Sequence, residues 1–268
     1  KKDSHLPAKV SVHPAGNDFF TTMPCLLPSD KERFGVKVVS RILGRTPSLS
    51  SDILLYNSAN GELLALINAD WITSMRTGAV ATLAIKTLRS SSARKYSFIG
   101  LGNTARATLL CLLSSFPDEI FQVVLFRYKD QAEYFIDYFR TFGNVVFSVV
   151  DTMEELVEDA DVLVSCITDA DGLLIGNDAL FKPGILLVPV HTRGFQNCDL
   201  FFDKVFADDT EHVRSFRYFN QFKWFNEIGD VLDGTCLPGR QRKIIKVYRF
   251  SSWLGFLNLM HYKKQGKL

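Results

Sequence analysis

Three stretches carry residue types suited to chemistry. Gly100-Leu101-Gly102-Asn103-Thr104-Ala105 is a GxGxxA turn between a short apolar run, Tyr96 to Ile99, and a helix-forming segment. The first glycine permits a tight turn, the second lets a backbone approach a pyrophosphate, and Ala105 permits close helix packing. The helix that follows offers its N-terminal N–H groups to an anion. A dinucleotide is therefore expected at Gly100, Gly102, Asn103, Thr104 and Ala105, the plainer alternative being a glycine-rich turn that holds no nucleotide.

The second stretch follows the next strand, Val123 to Phe126. Dinucleotide folds usually carry an acid there, roughly 20 residues beyond the glycine turn, to bond the ribose hydroxyls. Here Arg127 stands at that place, with Lys129 two residues on. Arginine pairs with phosphate and stacks on adenine. NADP is therefore expected over NAD, with Arg127 and Lys129 at the 2′-phosphate and Asp130 capping the next helix.

The third is Lys37, set among Val36, Val38 and Val39. A lysine amine in apolar surroundings loses charge readily and suits carbonyl or imine chemistry. Read by position alone, a strand lysine pointing at solvent is the commoner case. His191 follows the apolar run Ile185 to Val190, at the strand end where α/β sheets present ligand-facing residues. It is a candidate proton carrier near neutrality, or a histidine bonded to backbone.

These residues need elements to hold them. From Lys9 to Asn68 the pattern reads as short strands and turns, with Asn60-Gly61 turning a hairpin between Ile53–Tyr56 and Leu63–Ile67. Asp70 starts a helix to about Leu88, with Trp71, Ile72, Met75, Ala79, Leu83 and Leu88 near one face. The polar run Arg89 to Arg94 marks a domain boundary. Beyond it, strands and helices alternate to Ala207, and Thr152-Met153-Glu154-Glu155 reads as a capping box. Such alternation predicts a doubly wound parallel sheet in an α/β chain.

The composition bounds the partners. In 268 residues, 31 Lys and Arg stand against 29 Asp and Glu, a net charge of +2 that leaves no electrostatic footprint for nucleic acid or membrane. No apolar run approaches the roughly 18–20 residues of a membrane span. The five cysteines, Cys25, Cys111, Cys166, Cys198 and Cys236, form no CxxC pair, and with no signal pattern they predict free thiols in a cytoplasmic protein. No histidine cluster has metal spacing, and Asp208-Asp209 with Glu211 reads as a strand-end cap, so no metal is expected.

Together, Met23-Pro24, Gly35 to Val39, Arg76-Thr77-Gly78-Ala79, the Gly100 turn and Glu227 to Gly234 resemble the ornithine cyclodeaminase/mu-crystallin family, in family order from about Ala8 to Arg240. The string Val190 to Asp199 is similar to members of a subgroup named after tyramine oxidase. The family resemblance implies a dinucleotide domain at 93–220 and a second α+β domain, from 1–92 plus 221–268, that binds substrate and makes a homodimer. It implies that Lys37 lies at substrate and cofactor, that Arg76 clamps a substrate carboxylate, and that Lys9 stands for a second arginine at that carboxylate.

The sequence also departs from the family. Thr21 and Thr22 stand where ornithine cyclodeaminases carry an acid before Met-Pro, and their catalytic Asp falls on His191 or Arg193. Ornithine cyclisation is therefore not expected. The chain starts without Met, which trimming, a gene fragment or an alternative start would each explain, and its segment after Arg240 differs from the family's closing helix, which a late frame error or ordinary divergence would explain. The sequence thus predicts NADP-linked redox chemistry at the C–N bond of a small amine, amino acid or imine, with Lys37 and His191 catalytic. The alternatives are a non-catalytic NADP(H)-binding protein and an inactive family member.

Overall fold

Two separate sheets form, one from consecutive strands joined by turns and one from strands that alternate with helices. The computed structural model describes residues 4–167, 170, 172–190, 194–195, 200–236 and 245–248, without the side chains of 212, 245, 246 and 248. They fall into two compact units, one running to Arg76 and the other starting at Thr77.

The first unit is an antiparallel sheet ordered β1-β2-β3-β4-β5: Val10–Val12, Phe19–Leu26, Arg33–Arg41, Leu49–Asn57 and Leu63–Asn68. The expected hairpin closes β4 on β5, with Gly61 at φ +78° and its N–H bonded to the Asn57 carbonyl at 2.9 Å. Strand alternation splits the residues between two faces. One row across the sheet is Met23, Lys37, Ile53 and Ile67; its neighbour on the opposite face is Pro24, Val36, Leu54 and Leu66. The Lys37 face is covered, with Cys25, Ile53 and Ala69 fully buried against Leu6, Leu27 and Ile72.

Helix α1, Asp70–Leu88, continues from β5 and contains the division between the units. Asp70 does not cap it through its side chain. Its carboxylate instead accepts the Ser51 N–H at 2.5 Å, tying the start of the helix to β4. The apolar face also differs from the expected one. Thr77, Gly78, Ala81, Ala84, Ile85 and Leu88 are buried, whereas Trp71 is 72% exposed and Leu83 38%. Small residues face inward because Gly78 lies against another helix: a Cβ there would meet the Ala107 carbonyl carbon at 2.5 Å.

The second unit holds a parallel sheet ordered β12-β11-β13-β10-β9-β6-β7-β8. Its strands are β6 Lys95–Ile99, β7 Phe121–Phe126, β8 Val145–Val150, β9 Val162–Ser165, β10 Leu186–Pro189, β11 Lys204–Ala207, β12 Phe225–Glu227 and β13 Ile245–Tyr248. The helices are α2 Asn103–Ser115, α3 Gln131–Tyr138, α4 Met153–Val157, α5 Thr210–Val213 and α6 Ile228–Leu232. Strands β8-β7-β6-β9-β10 follow the doubly wound order, and the order reverses between β6 and β9. The capping box at Thr152 forms in both directions, each bond 3.2 Å.

The compact units divide at 76/77, whereas the sequence places the boundary at 92/93 and gives 221–268 to the other domain; of these, 221–236 and 245–248 lie in the second unit. Two packings account for the difference. The buried face of α1 joins the core of the second unit, and β12 and β13 pair with β11, with Val247 fully buried.

Candidate active site

Lys37 occupies the middle of β3, between Met23 and Ile53, and is 4% exposed. It does not point at solvent. Burial first, then the Arg76 guanidinium and the Lys9 ammonium, hold its pKa well below the usual lysine value. Three basic side chains thus interact within the first unit: Lys37 from β3, Arg76 from α1, and Lys9 just before β1. Arg76 and Lys9 are half-buried, not fully solvated. Such a grouping favours an anionic ligand, with the arginine fork matched to a carboxylate.

Thr21, in place of the acid, lies on the same face of β2 as Met23 and is buried. Its hydroxyl bonds the Ser11 hydroxyl at 2.7 Å. This position therefore brings a neutral group to the Lys37 face.

In the second unit the glycine turn follows β6 at the strand-order reversal. Gly100 has φ +77°, and a Cβ there would lie 2.6 Å from the Ile167 nitrogen and 2.7 Å from the Cys166 carbonyl carbon. Only glycine fits, because β9's end passes directly behind the turn. Gly102 precedes α2 in an extended conformation, and its Cβ position has no atom within 4 Å. That open position suits close approach of a ligand. Ala105 is fully buried in the core, α2 has no acid in its first turn, and Asn103 and Thr104 open it. These residues fit a pyrophosphate.

Arg127 lies directly after β7, and its N–H bonds the Val150 carbonyl at 2.9 Å. Its side chain is engaged by two acids that sequence reasoning missed. Nε donates to Asp151 at 2.7 Å and Nη1 to Glu133 at 2.8 Å. A signal existed: Asp151 follows β8 as Arg127 follows β7, so parallel pairing sets them side by side. Lys129 has φ +51°, and its ammonium lies 5.2 Å from the Tyr128 ring centre. Asp130 occupies the N-cap position of α3 but makes no capping side-chain bond.

His191 and Arg193 lie outside the described residues, as does most of the Val190 to Asp199 string; Val190, beyond β10, is buried. The Glu227 motif ties β12 and α6 to α5. Glu227 Oε1 accepts both the N–H and the hydroxyl of Thr210 at 2.8 Å, and Asp230 accepts the Glu227 N–H at 3.2 Å. Asp209 caps α5 by accepting the Glu211 N–H.

With this geometry in hand, residues 3–253 match the model of the ornithine cyclodeaminase/mu-crystallin family. The chain belongs to that family. It is 26% identical over 216 residues to the nodulation efficiency protein NfeD of Rhizobium meliloti, covering 78% of this chain and 66% of that one. Against a Δ1-pyrroline-2-carboxylate reductase of Bacillus thuringiensis it is 27% identical over 177 residues, covering 60% and 53%. Against the ketimine reductase mu-crystallin of Mus musculus it is 29% identical over 139 residues, covering 52% and 42%. These matches thus span 42–66% of the curated relatives' lengths.

Solved structures agree on the fold. The Thermococcus litoralis Δ1-pyrroline-2-carboxylate reductase, solved with NADH and L-proline, superposes with a TM-score of 0.85 at 21% identity, over 99% of this chain and 89% of that one. An archaeal alanine dehydrogenase dimer with bound NAD gives 0.81 at 20% identity, over 99% and 87%.

Proposed function

We propose that this protein is an NAD(P)H-dependent reductase of a small imine that carries a carboxylate. The observation that carries the reading is Lys37, buried on the covered face of the first sheet with Arg76 and Lys9 as the charges acting on it. Burying an amine among cations is costly for the fold alone. An incoming carboxylate reverses the local field. Arg76 holds it, Lys9 adds a point charge, and Lys37, protonated from solvent, gives its proton to the imine nitrogen. The bound nicotinamide supplies the hydride that completes reduction of the C=N bond. The relatives named reductases of pyrroline-2-carboxylate and ketimines support this chemistry. They weigh against a non-catalytic binder.

In this reading the second unit holds the dinucleotide at the Gly100 turn, and the first unit binds substrate and dimerises. The sheet face opposite Lys37 supports the homodimer: it carries Val10 at 62% exposure and Leu66 at 69%. An exposed apolar face of this kind favours covering by another chain. His191 is proposed as a second proton carrier on the strength of its place after β10. NADP is preferred over NAD because no acid stands at position 127. Thr21 in the acid's place disfavours ornithine cyclisation.

The test is NADPH and NADH oxidation with Δ1-pyrroline-2-carboxylate. Saturable turnover, with an increase in KM of at least about tenfold in Arg76→Ala, supports the reading. Absence of turnover with any cyclic imine acid, while cofactor still binds, overturns it. Ornithine should give no proline.

A further inference from the structure

The acid missing from the end of β7 has a counterpart one strand away. Phe126 and Val150 are paired in register, so Arg127 and Asp151 leave adjacent parallel strands side by side. This is the carboxyl edge of the sheet, where dinucleotide folds receive the adenosine ribose. Glu133, in the first turn of α3, reaches the same guanidinium. The three side chains sum to a formal charge of −1, not the +1 that Arg127 brings alone. Among the described residues, Nε and Nη1 of Arg127 each donate to a carboxylate, at 2.7 and 2.8 Å.

We infer that Asp151 and Glu133 are specificity-determining residues that restrain the preference of this site for a 2′-phosphate, with Asp151 serving a 2′-hydroxyl in its place. The inference rests on the reading that the second unit binds a dinucleotide with its ribose at Arg127. A 2′-phosphate adds up to two negative charges beside two carboxylates and shares Arg127 with them through the Nη hydrogens that these bonds leave. A ribose 2′-hydroxyl has no such conflict, because it donates to Asp151 while Arg127 stays paired. The pairs are half-exposed or more: the side-chain exposure is 47% for Arg127, 55% for Glu133 and 72% for Asp151. Solvent and salt screen them, so the restraint is graded and salt-sensitive.

Affinities for NADPH and NADH are read by fluorescence titration of the full chain at low and high salt. Wild type is compared with Asp151→Asn, Glu133→Gln, the double variant, and each in an Arg127→Gln background. Asp151→Asn should tighten NADPH by about fivefold, the scale of one exposed ion pair, with NADH unchanged or weaker. Glu133→Gln should tighten NADPH less and leave NADH within about twofold. Both gains should shrink at high salt and fall within about twofold without Arg127. NADPH binding that is unchanged or weaker in Asp151→Asn and in the double variant overturns the inference. So does an equal gain for both cofactors. A wild type that prefers NADH contradicts the NADP reading alone, because the inference concerns the change on substitution. A wild type that binds neither cofactor overturns both.

Discussion

In the antiparallel unit a lysine lies 4% exposed, and the charges that depress its pKa are Arg76 and Lys9. In the parallel unit an arginine is 47% exposed and held by two carboxylates within 2.8 Å. Both are basic side chains in the sites proposed above for substrate and dinucleotide. The difference lies in solvation. Burial makes the state of Lys37 depend on the next charge to arrive, so a ligand can switch it. Exposure and pairing make Arg127 cheap to hold and its effect small, which suits tuning affinity. In the proposed function the buried amine does chemistry at a cost in stability, and the solvated, ion-paired guanidinium sets cofactor preference at almost none.

The strongest way to break this comparison is Lys37→Met. Loss of a positioned acid or base typically costs about 10²–10⁴ in rate, and turnover in steady-state assays should fall by that much with cofactor affinity within a few-fold. The same change should raise the melting temperature. The sign follows from linkage: the folded pKa lies below the unfolded value of about 10.4, so between them the unfolded chain binds more protons and stability rises with pH. The gain from Lys37→Met should therefore be largest below the depressed pKa and vanish as pH approaches about 10. Equal melting curves across that window would remove the claim that Lys37 is a burdened group.

The glycine turn sharpens the comparison within the parallel unit. Gly100→Ala puts a Cβ 2.6 Å from backbone at a positive φ, and should cost about 3 kcal/mol in denaturant unfolding. Gly102→Ala has open space, so stability should hold while dinucleotide affinity drops at least about tenfold by titration. Equal stability loss in both would contradict the different roles given to the two glycines.

A smaller effect is expected at Arg89, a cation in which pairing and burial coincide. It donates to Glu119 at 2.7 and 2.8 Å, bonds the Tyr96 hydroxyl, and lies 4.2 Å from the Phe116 ring centre, with its side chain 11% exposed. Arg89→Ala should cost about 1–3 kcal/mol in unfolding free energy, with rate and cofactor affinity unchanged. An activity loss at Arg89 would mean that partial burial of a cation is not by itself what separates structural from reactive sites.

Much of the architecture was legible because it is written in local patterns. Alternating strands and helices from Tyr96 to Ala207, the hairpin at Asn60-Gly61 and the box at Thr152 all depend on neighbours within a few residues. The glycine turn was legible for the same reason: strand, turn and helix are contiguous. Lys37 was legible as a candidate from its valines, and the family resemblance pointed to Arg76 and Lys9.

What tertiary structure decided involves partners far apart in the chain. Local sequence left open whether Lys37 points at solvent or into the covered face; the register with Met23 and Ile53 decides it. The inward face of α1 runs against its pattern because the stripe at Trp71, Ala79 and Leu83 is the more hydrophobic one, while Gly78 selects the other by admitting α2's backbone. Strand β13 joins the middle of the parallel sheet by pairing with β10 and β11, a choice its own residues do not encode. Arg127 stands at a strand end as its sequence position implies, but its charge balance is set by Asp151, 24 residues away. Sequence alone determines which groups are present and which local turns hold them. Long-range pairing determines which groups share solvent, and solvation is what turns a lysine or an arginine into a working cation.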